Sequence, residues 1–97
     1  MWILRSNEQA EGGPYQFRMT AGRVRTVGRG ARADFVLDAA LVSRLHCRLL
    51  VQDDALVVEN LGSTNGTYVN DKSVDRATLR AGDRLRTGRV ELTVFAE

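Results

Sequence analysis

The sequence holds very few of the residues on which most metal, redox and hydrolytic chemistry depends: one cysteine, Cys47, and one histidine, His46. A lone cysteine excludes a disulfide within the chain and fits a reducing compartment, here the cytoplasm. One histidine and one cysteine cannot fill a zinc site built from such side chains. The two are neighbours in sequence, but successive strand residues point to opposite faces, which excludes a thiolate–imidazole pair. No stretch approaches the ~20 consecutive apolar residues that span a bilayer. The opening Met1-Trp2-Ile3-Leu4-Arg5-Ser6 turns polar too soon for a secretory signal. Aromatic residues are scarce, and most of Trp2, Tyr15, Phe17, Phe35, Tyr68 and Phe95 fall at core-like positions. That leaves no stacking platform for single-stranded nucleic acid. Fourteen basic against twelve acidic residues give a net charge of +2, too balanced for an electrostatic nucleic-acid binder.

What is present suits a single small domain. Ninety-seven residues, 43% apolar and 27% charged, make an ordinary globular composition. A domain of this size buries roughly two-thirds of the surface its unfolded chain exposes, so it needs no metal or disulfide to stand. All but one of the basic residues are arginine, Lys72 being the exception. Arginine grips phosphate or carboxylate with a planar fork of donors. A GC-rich genome also favours arginine codons, so each arginine must be judged by its position.

Period-two alternation dominates the chain. Tyr15, Phe17 and Met19 share one face, as do Cys47, Leu49 and Val51, then Leu56 and Val58, and finally Val90, Leu92 and Val94. Such runs predict strands with one buried face. Turn signals separate them at Gly12-Gly13-Pro14, Ala21-Gly22, Gly28-Arg29-Gly30, Asp53-Asp54, Asn65-Gly66, Asn70-Asp71 and Ala81-Gly82-Asp83. Short strands at regular spacing indicate an all-β sandwich or barrel. The segment from Asp38 to Arg44 is too short and poorly patterned to be more than a turn.

Residues that core packing does not explain cluster in three connections, Val27 to Asp34, Asp38 to His46 and Asn60 to Asn70. The first carries Gly28-Arg29 at a strand end. The second ends in Ser43-Arg44-Leu45-His46 and runs directly into a strand. The third is rich in small polar residues, Ser63-Thr64-Asn65-Gly66-Thr67 among them. Ser43 and His46 lie three residues apart with no strand–nucleophile–helix elbow and no third group to orient the histidine, which argues against a hydrolase. The glycines near Arg29 match neither a dinucleotide fingerprint nor a Walker pattern. Asn65-Gly66-Thr67 matches a glycosylation sequon, which without a secretory signal is incidental.

In order and spacing, Gly-Arg, then Ser-x-x-His, then Ser-Thr-Asn-Gly-Thr resembles the signature of the forkhead-associated (FHA) domain family. The resemblance runs from about Met1 to Phe95 and includes the turn Ala81-Gly82-Asp83-Arg84-Leu85. It implies an all-β fold, a twisted β-sandwich of about eleven short, mainly antiparallel strands, with both termini at one end and the binding loops at the other. It also implies a single domain over residues 1–97, either a small whole protein or the front of a longer one. The activity implied is phosphothreonine-dependent binding of a protein partner, with a Ser/Thr kinase upstream, by a monomer that needs no cofactor. By the same similarity, Arg29, Ser43 and Thr64 contact the phosphate, Arg44 adds charge beside it, and Asn65 holds the peptide main chain. Gly28, His46 and Gly66 are architectural. Family members often choose partners by the residue three places after the phosphothreonine, which Leu41, Arg32 or Ser73 would read here. A phosphate-independent scaffold or dimerisation domain on the same fold is the alternative.

Overall fold

The computed structural model describes all residues, Met1–Glu97. Eleven strands and no helix make up the regular structure: β1 (Trp2–Arg5), β2 (Gln16–Met19), β3 (Val24–Gly28), β4 (Phe35–Val36), β5 (Cys47–Gln52), β6 (Ala55–Asn60), β7 (Thr67–Val69), β8 (Lys72–Val74), β9 (Arg76–Leu79), β10 (Arg84–Thr87) and β11 (Val90–Ala96). They form two sheets, one of six strands in the order β2-β1-β11-β10-β7-β8 and one of five in the order β4-β3-β5-β6-β9. All pairings are antiparallel except that of β3 with the two-residue β4. Of the sandwich or barrel that the alternation indicates, the sandwich implied by the family resemblance is the architecture observed.

Alternation aims the apolar faces of both sheets at one core. Leu4, Met19, Leu49, Leu56, Val58, Leu79, Leu85, Leu92 and Val94 are essentially inaccessible to solvent. At the edge where β2 faces β4, Phe17 stacks on Phe35 at 4.4 Å and on Tyr15 at 5.9 Å, closing the sandwich with aromatic area. Tight turns set the register. Asp53-Asp54 and Asn70-Asp71 each adopt positive φ at both positions, the conformation that matches the twist of a two-residue hairpin.

Two strand details depart from the sequence pattern. Val57, expected on the solvent side of β6, is only 5% exposed. It sits in a cross-strand row between Leu50 and Thr78 on the outer face of a central strand, where its neighbours cover it. The adjacent row carries Arg48, Glu59 and Arg76, with Glu59 taking both guanidinium groups. Those hydrogen bonds and charges hold its carboxyl below the usual carboxylate range despite some desolvation. The second departure is β7, which occupies Thr67–Val69 inside what the sequence shows as one long polar connection.

The loops and termini are sorted to opposite ends. Val27 pairs with Cys47 and Cys47 with Asn60, so the end of β3, the start of β5 and the end of β6 lie side by side. Met1 and Glu97 hydrogen-bond to each other at the other end. There they line a concavity of about 280 Å³ with Val51 and Asp54, beside the β5–β6 turn.

Candidate functional site

The β3–β4, β4–β5 and β6–β7 connections emerge together at one end of the sandwich, and hydrogen bonds lace them into one unit. The Arg29 amide donates to the Ser43 carbonyl at 2.9 Å, and the Gly30 amide to the Arg44 carbonyl at 3.1 Å. The Leu37 amide returns to the Gly28 carbonyl at 2.8 Å. Gly28 is required sterically: a Cβ there would lie 2.0 Å from the Arg44 carbonyl oxygen. The close approach that fixes Arg29 beside Ser43 and Arg44 thus depends on a missing side chain.

The second and third connections meet through side chains. Ser43 Oγ accepts the Thr64 amide at 3.1 Å, and Asn65 Nδ2 donates to the Leu41 carbonyl at 3.0 Å. His46 lies beneath both. The resemblance implies an architectural role for it, and the ring, just before β5, is completely buried. Nδ1 accepts the Ser43 amide at 3.0 Å, so Nε2 carries the proton and donates to the Gly66 carbonyl at 2.8 Å. Gly66 supplies that carbonyl from a backbone with φ of +82°, a region that favours glycine.

Burial lowers the His46 pKa, and the hydrogen bond to Gly66 opposes the shift only in part. Protonating Nδ1 would also set one N–H against the Ser43 N–H. The unfolded chain, with a histidine near 6.5, therefore binds the proton more readily than the folded one. Stability is then complete above about pH 6.5 and falls as pH drops from there toward the depressed folded value. As the only histidine titrates in that window, a melting curve series from pH 7.5 to 5 should show a decline that His46→Gln lacks.

With the scaffold fixed, the outward groups are donors. Arg29, Arg44, Thr64 and Asn65 are exposed and Ser43 is half-buried. Neither arginine makes a salt bridge or a side-chain hydrogen bond; the chain's three ion pairs involve Arg48, Arg76 and Arg84 instead. The Ser43 hydroxyl uses a lone pair on Thr64 and keeps its hydrogen free to donate. The five residues named for phosphopeptide contact therefore share one end of the molecule, linked through Ser43 and Leu41. Of the three residues named for reading a flanking position, Leu41 and Arg32 lie on these connections, while Ser73 lies on β8, paired with Tyr68. Both ring nitrogens of His46 are committed, and burial pushes the Cys47 thiol up to about 12. Neither side chain is therefore available as an imidazole base or a thiolate nucleophile.

Several supports have no counterpart in the sequence pattern. Asn60 Oδ1 accepts the hydroxyls of Ser63 at 2.6 Å and Thr67 at 2.8 Å, shaping the third connection from its base. Its spacing to Ser63 and Thr67 is the one signal that could have marked it. The β1–β2 connection braces the second: Glu11 Oε2 accepts the Ala40 amide at 2.7 Å, and the Tyr15 hydroxyl accepts the Asp38 amide at 2.9 Å. The β10–β11 turn also reaches the site, since a Cβ on Gly88 would lie 2.9 Å from the Leu41 carbonyl carbon.

Known proteins share both sequence and fold. The FHA domain family pattern matches residues 25–88. The glycogen accumulation regulator GarA of Mycobacterium tuberculosis is 38% identical over 69 residues, 71% of this chain and 43% of that protein. The oxoglutarate dehydrogenase inhibitor of Corynebacterium diphtheriae is 40% identical over 72 residues, 74% of this chain and 50% of that protein. The chain thus spans half or less of the length of these relatives. An FHA domain solved in work on phosphothreonine-dependent FHA domain interactions superimposes with a TM-score of 0.87 at 30% identity, covering 99% of this chain and 96% of that one. Sequence pattern, loop arrangement and sandwich topology agree: this chain belongs to the FHA domain family.

Proposed function

We propose that the chain is a phosphothreonine-dependent protein–protein interaction module in Ser/Thr kinase signalling, acting as a cytoplasmic monomer without catalysis. The observation that carries this reading is the group of unpaired donors around Ser43. Its free hydroxyl hydrogen and the guanidinium groups of Arg29 and Arg44 stand on hydrogen-bonded loops at one end of a rigid sandwich. Phosphothreonine brings about −1.5 to −2 charges and three acceptor oxygens to such donors. Each hydrogen bond to a charged group contributes about 1.5–3 kcal/mol, and ordering a flexible peptide offsets part of that. An affinity of about micromolar order follows, which suits a reversible contact. In this arrangement Arg29, Ser43 and Thr64 bind the phosphate, Arg44 adds charge, and Asn65 holds the partner's main chain through the amide groups that Leu41 does not use.

The reading is tested by titrating the domain with degenerate peptide libraries containing phosphothreonine, phosphoserine or unmodified threonine. Binding confined to the phosphothreonine library is the expected result. Equal binding to all three, or to none, would favour a phosphate-independent scaffold. The relatives' names, a glycogen accumulation regulator and an oxoglutarate dehydrogenase inhibitor, favour a metabolic enzyme or its regulator as the partner.

A further inference from the structure

The two sheets treat their outward arginines differently. On the five-stranded sheet, Arg48 and Arg76 flank Glu59, whose carboxylate takes both guanidinium groups. On the six-stranded sheet, alternation turns Arg18 of β2, Arg5 of β1 and Arg84 and Arg86 of β10 outward, because Met19, Leu4 and Leu85 face the core. Of these four only Arg84 has an acidic partner, Asp71 at 3.5 Å, and that acid's side chain is 67% exposed. Glu91, the one acid at an outward strand position of this sheet, lies opposite Arg86 without pairing to it. Three of the four guanidinium groups are left without a carboxylate.

Aromatic rings hold two of these cations instead. The Arg5 guanidinium lies 5.2 Å from the centre of the Phe95 ring, and that of Arg86 lies 4.3 Å from the centre of Tyr68. A ring satisfies the flat side of a guanidinium and leaves N–H groups at its edge to donate. Arg5 is fixed further by its Nε, which donates to Gln16 Oε1 at 3.0 Å. Ile3, in the cross-strand row between Arg18 and Phe95, is only 4% exposed and gives the face an apolar floor. Register sets the spacing of the charges. Arg5, Thr93 and Arg84 form one row, so the two arginines stand two strand widths apart, about 10 Å. Arg84 and Arg86, two residues apart along β10, stand about 7 Å apart. An extended chain with a carboxylate at every second residue repeats at that same distance.

We infer that the outer face of the six-stranded sheet docks an acidic segment of a protein partner, held by Arg5, Arg18, Arg84 and Arg86. Charge complementarity selects an anion, and the arginine fork suits carboxylates, which it grips with two bonds. Arginine and tyrosine together are also the side chains that protein interfaces favour. A nucleic-acid strand fits less well. Its bases need open rings, yet Arg86 caps Tyr68, and Glu91 interrupts any track of phosphates. An anionic bilayer would need more exposed apolar area than Phe95 offers on this face. The surface lies on strands rather than on the loops around Ser43, so the inference stands apart from the phosphothreonine reading.

The test is a nuclear magnetic resonance titration of the isotope-labelled domain at low salt with an unphosphorylated peptide of alternating glutamate and serine. The backbone amides of Arg5, Arg84, Arg86 and Thr93 should shift, and the affinity should fall as salt is raised. Combining Arg84→Gln with Arg86→Gln should weaken binding about tenfold while the melting temperature stays native. If those substitutions disturb β10, Arg5→Gln with Arg18→Gln repeats the test from β1 and β2, with a similar loss expected. Shifts confined to the loops around Ser43 would overturn the inference, because the loop arginines would then be the anion site. So would the absence of binding, an equal response to a lysine–serine peptide, or native affinity in both paired variants. Tighter binding of oligothymidylate or of phosphatidylserine vesicles to the same amides would replace the acidic protein segment with a nucleic acid or a membrane. Phosphothreonine recognition is read separately, from phosphopeptide binding at the loops, and survives or fails independently of each of these results.

Discussion

Replacing Arg29 with alanine is expected to weaken phosphothreonine-peptide binding by about 2–4 kcal/mol, a loss of roughly thirtyfold to a thousandfold. The size follows from removing a charge-assisted pair from a dianion that keeps most of its desolvation cost. The melting temperature should scarcely move. Arg29 contributes to the fold through its amide, which donates to the Ser43 carbonyl, and alanine retains that amide. Its exposed side chain has no protein partner to lose. Isothermal titration with a fixed phosphopeptide and a parallel thermal melt separate the two effects. Native affinity in Arg29→Ala would show that this arginine is not in the phosphate position.

The second large effect is expected in the opposite quantity. His46→Ala should lower stability by about 3–4 kcal/mol, a substantial share of the ~5–15 kcal/mol typical of a domain. It deletes a fully buried ring and strands the Ser43 amide and the Gly66 carbonyl, each costing about 1–3 kcal/mol when left unsatisfied. At this chain length each kcal/mol moves the melting temperature by about 4–8 °C, so a drop of more than about 10 °C should appear in calorimetry. Binding should also weaken, because the ring positions the Ser43 main chain. The comparison with Arg29→Ala is informative: one variant loses affinity on an intact scaffold, the other loses scaffold first. A normal melting temperature in His46→Ala would refute the bracing role.

The legible part of this molecule was the part governed by local repetition. Alternation marked the inner faces of β5, β6 and β11 because burial on one side of a strand recurs every second residue. Turn dipeptides such as Asp53-Asp54 and Asn70-Asp71 marked register because positive φ tolerates few residues. Val57 lies on the outer face that alternation implies, but its burial there was not legible, because cover by Leu50 and Thr78 depends on strand order. The outward residues at Arg29, Ser43, Arg44, Thr64 and Asn65 stood out only as departures from core patterning in order, and the family resemblance gave them roles. The bracing of the loops by Glu11, Tyr15, Asn60 and Gly88 was hidden for a different reason. The contacts of Glu11, Tyr15 and Gly88 join segments far apart in the chain, those of Asn60 lie within its own connection, and each residue alone looks like an ordinary turn or surface position.

The pairing of Met1 with Glu97 has a mechanical consequence. A polypeptide attached at either terminus leaves from the same spot, at the end of a body measuring 33 × 28 × 26 Å whose opposite end carries the loops. Any host therefore holds the domain by its base, like a lamp on a swivel, and sweeps the recognition surface around that pivot. Two tethers would restrict the sweep without covering the surface. The same closeness of ends makes the fold a natural candidate for circular permutation or for insertion into a loop of another protein.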